Sequence, residues 1–208
     1  MSVVSGPINA GLVARVQNMI TKPAAEWDVI DGEPASVAGL FTGYACILAA
    51  IGPIALIIGD VLFIHMSPIA AALLAVVSYV LSLGGAYLVA FIVDTLAPNF
   101  GAEKNQLQAL KLVIYANTAA WLAGIGGLIP PLAGLLALVG GVYTLYTMYL
   151  GLPKLMKSPA DKTTGYFIVT LVVAAVVYVV IATILWMVIA ATAVTAVVAG
   201  GAALSTVH

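Results

Sequence analysis

The sequence predicts an all-α polytopic membrane protein: five transmembrane helices, preceded by an N-terminal amphipathic helix at the membrane interface. Three observations carry this. First, 63% of the 208 residues are hydrophobic and only 7% are charged, with a mean hydropathy of +1.18; an ordinary soluble domain is about one quarter charged. Second, the seven basic and eight acidic residues cluster in 15–33, 94–111 and 154–162, with Asp60 alone, leaving the charge-free stretches 35–59, 61–93, 112–153 and 163–208. Third, five crossings place every Lys and Arg on one side of the membrane.

A helix needs about 20 apolar residues to cross a core of roughly 30 Å. The stretch 35–59 supplies one helix. Ser67-Pro68 is a start signal for the second, which runs to about Val93. The third stretch is too long for one crossing, and Gly124, Gly126, Gly127, Pro130 and Pro131 mark a tight turn within it. It divides into helices over about 107–128 and 132–152. The fifth helix begins near Gly165, and no Gly or Pro interrupts it from Tyr166 to Ala199. The long unbroken runs exclude the ten-residue alternation of a β-barrel.

With five helices, Arg15, Lys22, Lys104, Lys111, Lys154, Lys157 and Lys162 share one side, and the loop near 60–67, the turn at 129–131 and the C-terminus have no basic residue. The positive-inside rule then places the N-terminus in the cytoplasm and the C-terminus outside, in a membrane expected to be the bacterial inner membrane. No cleavable signal peptide is visible, so the first span is expected to act as its own insertion signal. The chain divides into a cytoplasmic N-terminal segment over 1–34, a transmembrane domain over 35–192 and an outer extension over 193–208. Within the first, Ile8, Leu12, Val16, Met19 and Ile20 share a helical face, with Asn9, Arg15, Gln17 and Asn18 elsewhere, a helix that either lies on the membrane surface or only packs over the bundle; Trp27 is placed at headgroup level.

Motifs for chemistry are scarce. A net charge of −1 excludes nucleic acid as a partner. Cys46 lies in an apolar run and reads as a packing residue. His65 and Asp60 are too few for a zinc site, and Gly124-Ile125-Gly126-Gly127 lacks the third glycine and the preceding strand of a dinucleotide fingerprint. Neither cofactor nor catalytic residue is expected. The polar residues inside the spans are more informative, because polar groups in hydrocarbon pair or face a cavity. Tyr115, Asn117, Thr118, Tyr143 and Tyr146 form the candidate lipid- or ligand-facing cluster, with interhelical hydrogen bonding and an aromatic belt as the plainer reading. Asp94 and Lys111, at neighbouring ends of helices two and three, form the candidate structural ion pair.

Several segments in order resemble the Yip family of Ypt-interacting membrane proteins, in its short prokaryotic form. They are Lys22-Pro23-Ala24-Ala25-Glu26-Trp27, Gly43-Tyr44, Ala50-Ile51-Gly52-Pro53-Ile54, Ala97-Pro98-Asn99-Phe100-Gly101 and Gln108-Ala109-Leu110-Lys111. Tyr115 to Trp121, Tyr143 to Tyr149, Gly151-Leu152-Pro153 and Gly165-Tyr166 continue the series. The resemblance implies five helices and a cytoplasmic N-terminus. Contact with a small GTPase follows only from this resemblance and is not carried over residue by residue: Val37 to Gly43 stand where the family has Asp-Leu-Tyr-Gly-Pro, and Ala119 stands where a proline is expected. The expected function is non-catalytic, through lipid or protein contacts in membrane organisation or trafficking. Membrane lipids and further copies of the chain, or other membrane proteins, are the expected partners. A small oligomeric channel or transporter subunit is the alternative.

Overall fold

The computed structural model describes residues 8–205, with side chains over 11–194; the expectations for residues 1–7 and 206–208 lie outside the described residues. Two short helices, α1 (Ile8–Thr21) and α2 (Pro23–Gly32), precede five long ones. The five are α3 (Val37–Phe63), α4 (Pro68–Phe100), α5 (Gln106–Leu128), α6 (Pro130–Leu155) and α7 (Ala160–Ser205). Each of the five holds a stretch long and apolar enough to cross a membrane.

The start signals are local and visible. Ser36, Ser67 and Asn105 accept the backbone N–H three residues on, from Gly39, Ala70 and Gln108, and so cap α3, α4 and α5. Pro68 and Pro130 occupy first-turn positions, where a missing N–H costs nothing. The Gly124–Leu128 stretch tightens into a 3₁₀ turn and Ile129 is extended, which reverses the chain between α5 and α6.

Boundaries differ from expectation in two places. The first helix continues through Asp60 to Phe63, so Asp60 is a buried helical residue and not part of an outer loop. The last helix begins at Ala160, takes in Asp161 and Lys162, and extends to Ser205. Its 46 residues span about 69 Å at ~1.5 Å per residue, more than twice a hydrocarbon core. Within α3 the regular ladder is also interrupted. A π-turn covers Phe41–Ala45, and the helix loosens at Ala50, three residues before Pro53; a proline ring removes one N–H and crowds the preceding turn.

Packing is closest where glycine allows it. The strongest pairings are α3 with the end of α5, α4 with α7, and α5 with α4 and α6. At the α3–α5 crossing, a Cβ on Gly59 would lie 1.9 Å from the Gly127 carbonyl oxygen, and one on Gly124 would lie 2.7 Å from the Gly52 Cα. Backbones approach there because no side chain stands between them. The α5 helix is the hub: Leu110, Leu112 and Ile114 are fully buried, and its two faces meet α4 and α6.

Gly59→Ala is therefore expected to destabilise the bundle by ~1–3 kcal/mol, because the obstructing atom is backbone. Gly134→Ala, with open space around it, should leave the melting temperature in detergent unchanged. Equal effects of the two substitutions would contradict the close crossing.

Candidate functional site

The short helices α1 and α2 are not laid loosely over the end of the bundle. Leu12, Arg15, Val16 and Met19 recur at three- and four-residue spacing, so they share one face of α1; Met19 is buried, and Leu12 and Val16 pack against the core. Arg15 lies on this inward face. The sequence pattern, which sets Arg15 apart from the apolar face, does not anticipate this.

The guanidinium of Arg15 bridges two carboxylates of the next segment: Nη1 donates to Glu26 Oε1 and Nη2 to Glu33 Oε2. Glu26 is itself buried. The cation also stands over the Tyr115 ring, 5.4 Å from its centre, a cation–π geometry. Burial opposes the Arg15 charge, but the hydrogen bond to Glu33 and the negative charges of Glu33 and Glu26 outweigh it and hold the group above its ordinary value. Arg15 is charged at every accessible pH.

Behind Tyr115 the cluster continues as a hydrogen-bonded chain. The Thr118 hydroxyl donates to the Tyr115 carbonyl at 2.6 Å, so it must accept from the Tyr44 hydroxyl, 2.6 Å away. Tyr44 lies in the π-turn of α3 and meets the Tyr115 ring edge-on at 4.8 Å. The wide turn thus presents Tyr44 to α5, in keeping with the frequent placement of such turns at functional positions.

Lys111 completes the assembly from α5. Its ammonium, almost fully buried, donates to the Ile30 carbonyl at 2.9 Å and the Glu33 carbonyl at 2.6 Å. These groups sit at the C-terminal end of α2, where unpaired carbonyls and the helix dipole favour a cation. The expected Asp94–Lys111 pair is therefore corrected. Among the described residues Asp94 has no cationic partner, and its buried Oδ1 has no hydrogen bond. The physical reason is that α2 folds into the space beside α5 and offers Lys111 nearer acceptors.

Two further latches hold α2 along α6. Lys154 reaches the Ala24 carbonyl and the Asp28 carboxylate, both at 2.6 Å, and Lys157 pairs with Asp31. Trp27 is fully buried and donates its indole N–H to the Thr147 carbonyl at 2.9 Å. Gly151 makes the room, since a Cβ there would lie 2.6 Å from the Trp27 ring.

The candidate polar cluster thus divides. Tyr115 and Thr118 belong to the ion cluster. Tyr143 donates its hydroxyl to the Ile20 carbonyl at the end of α1 and tilts against Tyr146, which is half exposed on the outer wall of α6. Asn117 alone faces an interior cavity, of about 240 Å³ between α4, α5, α6 and α7, with Thr144, Ser78 and Ser82 around it. Glu26 and Glu33 were missed as site residues because their partner Arg15 is eleven and eighteen residues away, across a chain reversal with no sequence signature. The signal that could have found them is the Leu12, Arg15, Val16, Met19 spacing.

A five-span helical bundle with its N-terminal helices latched against it by a buried ion cluster is a polytopic membrane protein built to hold a shape. The chain belongs to the Yip1 family: the Yip1 domain matches residues 18–183. Inner membrane protein YohC of Escherichia coli (strain K12) is 26% identical over 173 residues, covering 77% of this chain and 88% of the relative. YohC of E. coli O6:H1 (strain CFT073 / ATCC 700928 / UPEC) matches to the same extent. No solved structure matches.

Arg15→Leu should remove about 3 kcal/mol of stability, because it strands Glu26 as a buried, unpaired charge. Adding Glu26→Gln should recover part of the loss, since a neutral amide does not need the cation. Unfolding of the two variants in detergent checks the order; a double variant no more stable than Arg15→Leu would show that Glu26 is not the group left unpaired.

Proposed function

We propose that this chain is a non-catalytic protein of the inner membrane, with its N-terminus in the cytoplasm and its C-terminus outside. It acts in membrane organisation through lipid and protein contacts. One observation carries the reading: Arg15 and Glu26 are turned inward, while Val13 and Ile20 of α1 remain exposed beside Gln17 and Asn18. Tyr143, which holds Ile20, is near the middle of α6. A helix with its cation turned inward and Val13 and Ile20 exposed beside Gln17 and Asn18 suits the membrane interface, with its apolar side chains toward the acyl chains. Arg15, Glu26, Glu33 and Lys111 are engaged in holding the N-terminal helices in place. The inner-membrane assignment draws on the name of the E. coli relative, and the orientation on the placement of the basic residues.

In reconstituted vesicles, a spin label at Val13→Cys (in Cys46→Ser) should collide with oxygen and be shielded from a water-soluble nickel chelate. In cells, Thr206→Cys should react with an impermeant maleimide before lysis. A Val13 label open to nickel would end the lipid-contact reading; labelling only after lysis would reverse the topology.

A second reading, a small oligomeric channel or transporter subunit, draws on Asp94, Thr144 and Thr170, whose buried side-chain oxygens lack partners. Unpaired buried oxygens mark places where water or an ion belongs. Its test is ion or proton flux into vesicles that Asp94→Asn abolishes; the contact reading expects no flux above that of empty vesicles.

A further inference from the structure

The interior cavity has an unusual position. Asn117 is the middle residue of Gln106–Leu128, Ser82 the middle residue of Pro68–Leu96, and Thr144 lies within two residues of the middle of Pro130–Leu155. Three spans therefore bring polar side chains together near the middle of their lengths, far from the ends that would reach the edges of a roughly 30 Å hydrocarbon core. The 240 Å³ chamber shares Ser82, Thr144, Leu145, Ala174 and Tyr178 with a second chamber of about 440 Å³ that Trp121 also lines. None of the lining residues is charged.

The hydroxyls in this space are not all spent. Thr42, Thr95 and Thr183, exposed on the outer walls of their helices, each return the proton to the carbonyl four residues back, the ordinary behaviour of threonine in a helix. Thr144 does not: it is 9% exposed, and its Oγ1 has no partner. Ser82 accepts the Trp121 indole N–H at 3.1 Å, which leaves its own O–H free to donate. The chamber walls therefore hold two donors from different helices beside the flat rings of Trp121 and Tyr178, in an apolar, uncharged setting.

An unpaired buried hydroxyl calls for an acceptor. A phospholipid keeps its phosphate and ester oxygens near the interface, so only its hydrocarbon could reach this depth. We infer that the paired chambers bind a neutral, membrane-soluble lipid carrying a carbonyl acceptor within the hydrocarbon, of the quinone type. Its ring lies between Trp121 and Tyr178, its carbonyl oxygen accepts from Thr144 and Ser82, and its tail lies along α7. This is binding alone, with no electron transfer. It rests on the lipid-contact reading and names one lipid that the bundle contacts.

The test uses the full chain in phospholipid nanodiscs, with Trp186→Phe to remove the lipid-exposed indole. Decyl-ubiquinone should quench tryptophan fluorescence saturably, and adding Trp121→Phe should abolish the saturable part. Thr144→Val should weaken binding about three- to tenfold, as for one lost hydrogen bond, without lowering the melting temperature of the unliganded protein. Thr144→Ser should restore it. Saturable quenching with the same midpoint in Thr144→Val would overturn the proposed contact, and no saturable quenching would overturn the site. If phospholipid brominated along its chains quenches Trp121 and quinone does not displace it, the chambers hold acyl chains. That result ends this proposal and leaves the lipid-contact reading standing.

Discussion

A guanidinium removed from water must be neutralised where it lies, and the N-terminal segment of this protein is arranged around that requirement. Arg15 cannot lose its proton, so burial on the inward face of α1 is stable only with Glu26 and Glu33 beside it. Bringing those carboxylates to Arg15 folds α2 back across the bundle. That fold places the C-terminal carbonyls of α2 at Lys111, Trp27 in the space left by Gly151, and Asp28 and Asp31 at Lys154 and Lys157. The charges of 15–33 meet the charges of α5 and α6 as a consequence of one buried cation.

The membrane spans obey a different constraint. Lipid tails are as apolar as leucine, so burying apolar surface gives little drive for helices to associate there, and close approach of backbones matters more. This is why the α3–α5 crossing is made of Gly52, Gly59, Gly124 and Gly127, while much of α7 stays exposed to its surroundings. Sparser packing of α6 against α4 and α7 leaves the cavities between them, where Thr144 lacks a partner. The protein thus has a tight polar region around its N-terminal helices and an open apolar one at its centre.

Much of this was legible in the residue order. Five spans, their caps and the α5–α6 turn follow from charge-free length, Ser67-Pro68 and the Gly-Pro cluster, because each is a local property of about 20 residues. The family could be read from ordered short segments. The partners of Lys111 could not, although Asp94 lies at the neighbouring helix end: which acceptor a lysine meets depends on what else occupies the space, and α2 occupies it. Nor could the division of Tyr115, Asn117, Thr118, Tyr143 and Tyr146 among three environments, since small rotations of a helix decide which wall a residue faces.

The sequence by itself determined the all-helical membrane class, the number of spans and the clustering of charge, because hydrocarbon tolerates neither exposed backbone nor stray ions. Packing in three dimensions settled that Arg15 points inward, that Trp27 is buried and that Thr144 Oγ1 has no partner. Those outcomes depend on contacts between residues eleven to more than a hundred positions apart, and no local pattern encodes which distant partner will be there to receive them.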